Sequence, residues 1–353
     1  MVRIDHVDVT VGTFQLHDIV LDIADREYFV VLGPTGAGKT VLLECIAGLT
    51  PPRRGRVWLG GRDVTALPPE QRRVGYLPQD YALFPHLTVR ENLAFGLMVR
   101  GREDDIPASV ERYAGLLGIG ALLERLPAKL SGGEKHRVAL GRALAIDPEI
   151  VLLDEPLSAL DVATRERISD ELRRIHDSTG MTTLHICHNF DETLRLADRV
   201  ALVNQGRVVQ VGTPEDLLRR PRSLFAAEFV RSENILRGHA DGAGGAGDAM
   251  RVRVGEVVME VAKAPAGPVW VTVRPDDIEV LPPEGIPTTA NAFTATVEAV
   301  ETRADGYALH TRGALALTAF VSRPQARDLA VEPGRRLALV LPPNCLNAFP
   351  AAD

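Results

Sequence analysis

Two periods alternate along the first two thirds of the chain. The segments EYFVVLG, RVGYLP, EIVLLDE, TTLHICH and RVALVNQGRVVQVG are short apolar runs of strand length. Between them, residues 41–49, 110–117, 137–145 and 164–177 space their apolar side chains as helices do. In the last of these, Ile168, Leu172 and Ile175 stand at i, i+4 and i+7, on one face. Strands interleaved with helices predict an α/β fold, a mostly parallel sheet with helices on both faces. Beyond Ser232 the text changes to period two, in MRVRVGEVVMEVA, PVWVTVRP, FTATVEAVETRADGYALHTRGALALTAFV and RRLALVLPP, with a helical hint only at 323–329. This predicts an all-β C-terminal domain, a small barrel, over residues 232–353, after an α/β domain over 1–231. The Gly/Ala-rich stretch HADGAGGAGDA at 239–249 is either the linker or a hairpin loop inside the second domain. ENILRGH before it already alternates like a strand, which favours the hairpin.

Composition agrees with two soluble domains. The 353 residues are 45% apolar and 25% charged, enough for two cores. Forty Lys+Arg against 47 Asp+Glu leave a net charge of −7, without the basic footprint of a nucleic-acid binder. Cys45, Cys187 and Cys345 are odd in number and never in CxxC, which excludes a disulfide scaffold or zinc ribbon and suits a reducing cytosol. No apolar run approaches membrane-spanning length. Asp5 and Asp8 argue against a signal peptide at the N-terminus.

Three segments carry chemistry. Gly33-Pro34-Thr35-Gly36-Ala37-Gly38-Lys39-Thr40 follows a strand and opens a helix, the context of a phosphate-binding loop. Its glycines let backbone N–H groups turn toward a β-phosphate; Lys39 would bridge the β- and γ-phosphates, and the Thr40 hydroxyl would ligate Mg²⁺. A plain Gly-rich turn is the bland alternative, and the strand–loop–helix context argues for the nucleotide. The strand Ile150–Asp154 ends in Asp154 and Glu155, two adjacent acids that can divide the work: Asp154 toward the metal, Glu155 to polarise a water for attack on the γ-phosphate. Leu130-Ser131-Gly132-Gly133-Glu134 starts another helix with Ser131 as N-cap, a second helix tip able to meet an anion.

That order of motifs resembles the nucleotide-binding subunits of ATP-binding cassette (ABC) transporters, over about residues 2–231. The resemblance implies a P-loop NTPase cassette with an added N-terminal antiparallel sheet and a helical subdomain. It implies ATP and Mg²⁺ as cofactors and a head-to-tail homodimer sandwiching two ATP. The tip formed by Ser131, Gly132, Gly133 and Glu134 of one subunit would then close on the phosphates held by residues 33–40 and Val41 of the other. Carried over residue by residue, Gln79 would touch Mg²⁺ and the attacking water. Asp161, in Ser158-Ala159-Leu160-Asp161, would lie in the loop linking the two sites. His188 would contact the γ-phosphate, and Phe14 would stack on adenine. Two departures stand out. After the signature, Lys135-His136-Arg137 stands where a Gln–Arg pair is usual, with Arg137 retained, and Cys187-His188-Asn189 replaces Thr-His-Asp. His185 lies close to the second, but counting back from DETLRLAD favours His188.

The tail resembles the oligonucleotide-binding-like barrel of ATPases from binding-protein-dependent importers, in VTVRPDDIEVL, NAFTATVEAVE and EPGRRLALVLPPN. In GPTGAGKTVLLECIAGL, VGYLPQDYALFPHLTVREN and LHICHNFDETLRLAD the cassette looks most like the molybdate/tungstate branch, with sulfate, sugar, polyamine and ferric-iron ATPases near it. The implied assembly sits peripherally on the cytoplasmic face of the membrane. There the ATPase would work with two transmembrane permease subunits and, indirectly, an extracytoplasmic solute-binding protein. Oxyanion-sensing tails carry a Ser/Arg-Asn start and a Lys-Ala-Ser/Thr segment, whereas here Thr288-Thr289-Ala290-Asn291 and Pro343-Asn344-Cys345 stand instead. A soluble, non-transport cassette ATPase is the reading of a different class; its relatives carry two cassettes in one chain or a long coiled coil, and this chain has neither.

Overall fold

A computed structural model of the chain describes residues 1–158, 160–241, 250–287 and 291–351. It comprises two compact units, Met1–Pro214 and Glu215–Asp353.

The first unit opens with β1 (Val2–Val11), β2 (Phe14–Ile23), the fully buried β3 (Tyr28–Leu32) and α1 (Lys39–Ala47). β4 (Arg54–Leu59) and β5 (Arg62–Asp63) complete an antiparallel sheet in the order β2-β1-β4-β5, the N-terminal sheet expected from the sequence. Then come β6 (Val74–Leu77), α2 (Val89–Val99), α3 (Ile106–Leu116), α4 (Gly132–Leu144), β7 (Ile150–Asp154) and α5 (Val162–Thr179). β8 (Thr182–Cys187), α6 (Phe190–Leu196), β9 (Arg199–Asn204) and β10 (Arg207–Gly212) close the unit. The second sheet runs β10-β9-β3-β8-β7-β6, parallel except for the β9–β10 hairpin. Every residue of β3, β7 and β8 is buried, as strands covered on both faces must be, which is why they read as unbroken apolar runs. Leu42, Leu43 and Ile46 of α1 share one core with Val2 and Ile4 of β1, Phe29 and Val31 of β3, and Ile186 of β8.

Helix ends show where local chemistry outran periodicity. The stretch expected as 137–145 starts at Gly132, because Ser131 and Glu134 form a reciprocal capping box that compensates two poor helix formers. α2 was not expected from its apolar spacing. Thr88 and Glu91 cap it in the same way, and with α3 and α4 it forms the helical subdomain.

The second unit includes most of α7 (Pro214–Arg219) and all of α8 (Leu224–Phe229), then β11 (Asn234–Ala240), β12 (Met250–Val254), β13 (Val257–Val261), β14 (Gly267–Val273) and β15 (Glu279–Leu281). β16 (Ala292–Thr302), β17 (Gly306–Gly313), β18 (Leu317–Ser322), α9 (Arg323–Asp328), β19 (Arg336–Val340) and β20 (Asn347–Pro350) follow. The two short helices belong here because Arg219 pairs with Asp277 through both carboxylate oxygens and Asn347 donates to the Pro221 carbonyl at 2.9 Å. The strands make two antiparallel sheets, β13-β12-β11-β14-β20 and β15-β19-β16-β17-β18, around one core that includes Val271, Val297, Leu309 and Leu339. The expected barrel is thus closed by a shared core and not by one continuous hydrogen-bonded ladder. β11 and β12 pair antiparallel with His239 opposite Arg253, the hairpin arrangement, while residues 242–249 between them lie outside the described residues. Of the segment 288–291 only Asn291 is described; it is buried and donates to the carbonyls of Glu260 and Leu341, a structural role.

Candidate functional site

Parallel strands deliver their C-terminal ends to one edge of the sheet, and Lys39, Thr40, Asp154, Glu155 and His188 collect there. The loop after β3 turns into α1 through Gly36 and Gly38, at φ 81° and 99°, values only glycine adopts cheaply. Two of its glycines are also forced by space: a Cβ on Gly33 would strike the Val203 carbonyl, and one on Gly38 would strike the ring of Phe14. Phe14, at the start of β2, therefore lies against the loop, whereas Tyr28 and Phe29 are sealed in the core. Pro34, Thr35 and Ala37 complete the curl, and Val41 packs on the core below it. Lys39 is buried; its Nζ donates to the carbonyls of Gly33 (3.0 Å) and Pro34 (3.1 Å) and stands 3.5 Å from Glu155 Oε1. The Lys39 ammonium thus holds the loop that carries it.

At the end of β7, Asp154 is buried and accepts from Thr40 Oγ1 (3.2 Å) and Tyr76 Oη (3.4 Å). Burial, with the Glu155 charge beside it, holds its carboxyl above the usual carboxylate range, and the two hydroxyl donors only partly oppose this. Sequence reading missed Tyr76, although its place one strand over, in RVGYLP, put it at the same edge. Glu155 takes the left-handed conformation (φ 44°); its N–H donates to Ile186 O at 3.2 Å, and its carbonyl accepts from both N and Oγ of Ser158. These bonds fix a strained residue at the point where β7 ends. Its Oε2 lies 3.2 Å from His188 Nδ1.

The structure separates the two candidate histidines. His185 is fully buried on β8 between Tyr28 Oη (2.9 Å) and Glu192 Oε1 (3.1 Å). His188 sits past the end of β8, half exposed beside Glu155, and Asn189 turns the chain into α6 by accepting from Asp191 N and Glu192 N. The Asn in place of Asp thus serves as the N-cap.

Gln79 is exposed on the turn after β6 and makes no hydrogen bond to Thr40, Asp154 or Glu155 among the described residues. Asp161 caps α5 by accepting from Thr164 N at 3.0 Å; Ala159 of the same motif lies outside the described residues. Ser131 and Glu134 bond each other, and hydrogen bonds from Ser131 hold the Glu134 carboxyl below its ordinary range. Gly132 and Gly133 differ from the loop glycines in one respect: a Cβ on either would meet nothing within 4 Å. No described neighbour requires a glycine at either position.

The donor set at Thr40 and Asp154 suits Mg²⁺, a hard ion bound by one or two protein oxygens and by substrate phosphates. Among the described residues there is no cluster of three or more His, Cys, Asp or Glu able to hold a metal by itself.

Residues 16–158 match the family model described as ABC transporter. The molybdate/tungstate import ATP-binding protein WtpC of Pyrococcus horikoshii is 40% identical over 353 residues, covering 99% of this chain and 100% of that protein. The sulfate/thiosulfate import ATP-binding protein CysA 2 of Agrobacterium fabrum is 42% identical over 79% of this chain and 81% of its own length. Among solved structures, the ATP-binding cassette MJ0796, dimeric in a post-hydrolysis state bound to ADP and Pi, aligns with 61% of this chain and 99% of its own (27% identity, TM-score 0.55). The chain belongs to the ABC transporter family, as an ATPase subunit of its import ATP-binding group.

Proposed function

We propose that this chain hydrolyses ATP to energise uptake of an oxyanion of the molybdate/tungstate type. It would do so as a homodimer on the cytoplasmic face of the membrane, beneath two permease subunits fed by an extracytoplasmic binding protein. The observation that carries the solute class is the match to WtpC, 40% identical over 99% of this chain. Sulfate/thiosulfate import proteins match almost as far, at 39% identity over 95% of this chain, and support sulfate as the second reading. Among the described residues no helix is long and apolar enough to cross a membrane, which fits a subunit that relies on separate permeases.

Residues divide the chemistry as follows. N–H groups of residues 33–40 and the Lys39 ammonium bind the β- and γ-phosphates, and Phe14 supplies a flat face for adenine. Thr40 and Asp154, with Gln79 moving in, would hold Mg²⁺, which when bound neutralises phosphate charge. Glu155 Oε2 accepts a proton from the water that attacks the γ-phosphorus as the bond to the bridging oxygen breaks, releasing ADP and phosphate. His188, 3.2 Å from Glu155, orients that carboxylate and reaches for the γ-phosphate. The open tip at Ser131, Gly132 and Gly133, with Glu134 bracing it, serves the ATP of the second copy, and Asp161 lies in the segment joining the two sites. Reconstitution with its permease and binding protein tests the solute: ATPase activity should rise with molybdate or tungstate. Stimulation by sulfate alone selects the second reading, and stimulation by a sugar or a polyamine rejects both.

A further inference from the structure

The signature helix α4 holds more than its own tip. Ten residues along it from Gly132, Arg142 reaches the segment that follows Gln79 and donates to the carbonyls of Tyr81 (2.8 Å) and Ala82. Both acceptors adopt left-handed backbone, at φ 63° and 41°, so their carbonyls converge on one guanidinium. The same guanidinium lies 5.2 Å over the ring of Phe84. Six residues earlier on α4, the ring of His136 meets the ring of Tyr81 edge-on at 5.7 Å. His136 is 1% exposed and neither ring nitrogen has a hydrogen-bond partner among the described residues, so it acts here as a flat packing surface. Asn92 of α2 fastens the far side, accepting from Phe84 N and donating to the carbonyls of Phe84, Leu87 and Thr88.

Two successive non-glycine residues in the left-handed region persist only where surroundings impose them. Arg142 supplies the charge that does so, and His136 the wall. Helix α4 therefore carries at one end the tip offered to a partner's nucleotide and, along its length, a clamp on the segment leading from Gln79.

We infer that Arg142, backed by the ring of His136, is a positioning residue that sets Gln79 by holding residues 81–84 against the signature helix, so that signature and Gln79 move as one body. The inference rests on the reading of Gln79 as a group that reaches the attacking water. It assigns a role to the segment Lys135-His136-Arg137, which departs from the family pattern: a ring at 136 packs on Tyr81.

A double-mutant cycle on the full-length protein tests it, with steady-state ATPase kinetics and thermal melts for Gln79→Ala, Arg142→Met and the pair. Arg142→Met should lower kcat roughly tenfold and leave KM for ATP within about twofold, because the phosphate loop is untouched. In the Gln79→Ala background the same change should cost less than about twofold further, since the side chain it positions is gone. Arg142→Lys, which keeps the charge and loses the paired geometry, should fall between and serves if the Met variant does not fold. Full additivity of the two losses, a raised KM, or failure of both Arg142 variants to fold overturns the inference while leaving Gln79's role standing. A wild-type kcat in Gln79→Ala overturns the reading of Gln79 and this inference with it.

Discussion

His188 Nδ1 lies 3.2 Å from Oε2 of Glu155, while the other carboxylate oxygen of Glu155 lies 3.5 Å from the Lys39 ammonium. One carboxylate thus spans two cationic or proton-bearing partners, one just past β8 and one at the start of α1. It is set there by a left-handed backbone whose carbonyl is tied to Ser158. This geometry gives the Glu155 carboxylate a fixed direction, as the proposed role of proton acceptor requires.

Glu155→Gln is expected to bind ATP with near wild-type affinity and to lose about 10²–10⁴-fold in turnover, the usual contribution of a positioned base. The amide keeps the shape and the link to His188 but cannot take a proton. Single-turnover measurement with ATP and Mg²⁺ checks this, and turnover at the wild-type rate would remove Glu155 from the role.

Lys39→Ala acts on binding as well. It removes the cation proposed to meet the β- and γ-phosphates and also frees the carbonyls of Gly33 and Pro34 that Lys39 ties together. Calorimetry should show ATP affinity reduced by tenfold or more, about 1.4 kcal/mol or above. Undiminished affinity would contradict the assignment.

Asp154→Asn separates stability from function. Burial and the neighbouring Glu155 charge raise the Asp154 carboxyl, so its ionised form opposes folding as pH rises through that raised value. The neutral amide should therefore raise the melting temperature of the nucleotide-free protein at pH 7 and abolish Mg²⁺-dependent hydrolysis. A variant less stable than wild type at that pH would show that Asp154 stabilises the fold it was thought to strain.

His136 makes acid a local threat. Burial, aided by the charges of His185 and Arg137, depresses its pKa to about 4 from the ordinary 6.5. The unfolded chain therefore binds the proton more readily than the folded one. The associated stability is complete above pH 6.5 and is lost as pH falls toward 4, by up to about 3 kcal/mol. His136→Leu should flatten that part of the pH–stability curve in urea unfolding. An unchanged slope would place the acid sensitivity elsewhere.

Much of this site was readable because its chemistry is contiguous in the chain. Residues 33–40, 130–134 and 154–155 are unbroken stretches, and the first and last follow buried apolar runs, Tyr28–Leu32 and residues 150–153. Contacts across the fold were not readable. Tyr76 reaches Asp154, and Arg142 reaches Tyr81 and Ala82, only because parallel strands and α4 bring separate segments together. The histidine assignment shows the boundary well: counting back from DETLRLAD favours His188 in the text, and the Tyr28 and Glu192 partners of His185 then show His185 to be structural. The short helices 214–219 and 224–229 escaped because fewer than two turns give no period to read.

The central claim is that Ser131, Gly132 and Gly133 serve the ATP bound by a second copy of the chain, and mixing two inactive variants tests it most directly. Ser131→Arg puts bulk and charge on a tip that is open in its own subunit, so its monomer should bind ATP normally yet not hydrolyse it. Lys39→Ala should fail at the loop. In a head-to-tail dimer of one of each, one site collects both defects and the other collects neither. The account predicts that ATPase activity reappears on mixing, peaks near equal proportions and reaches up to about a quarter of the wild-type rate if partners exchange at random and each intact site fires independently. Silence at every ratio in heterodimers shown to form, together with lost ATP binding by folded Ser131→Arg monomer, would place the signature in its own subunit's site and contradict the account.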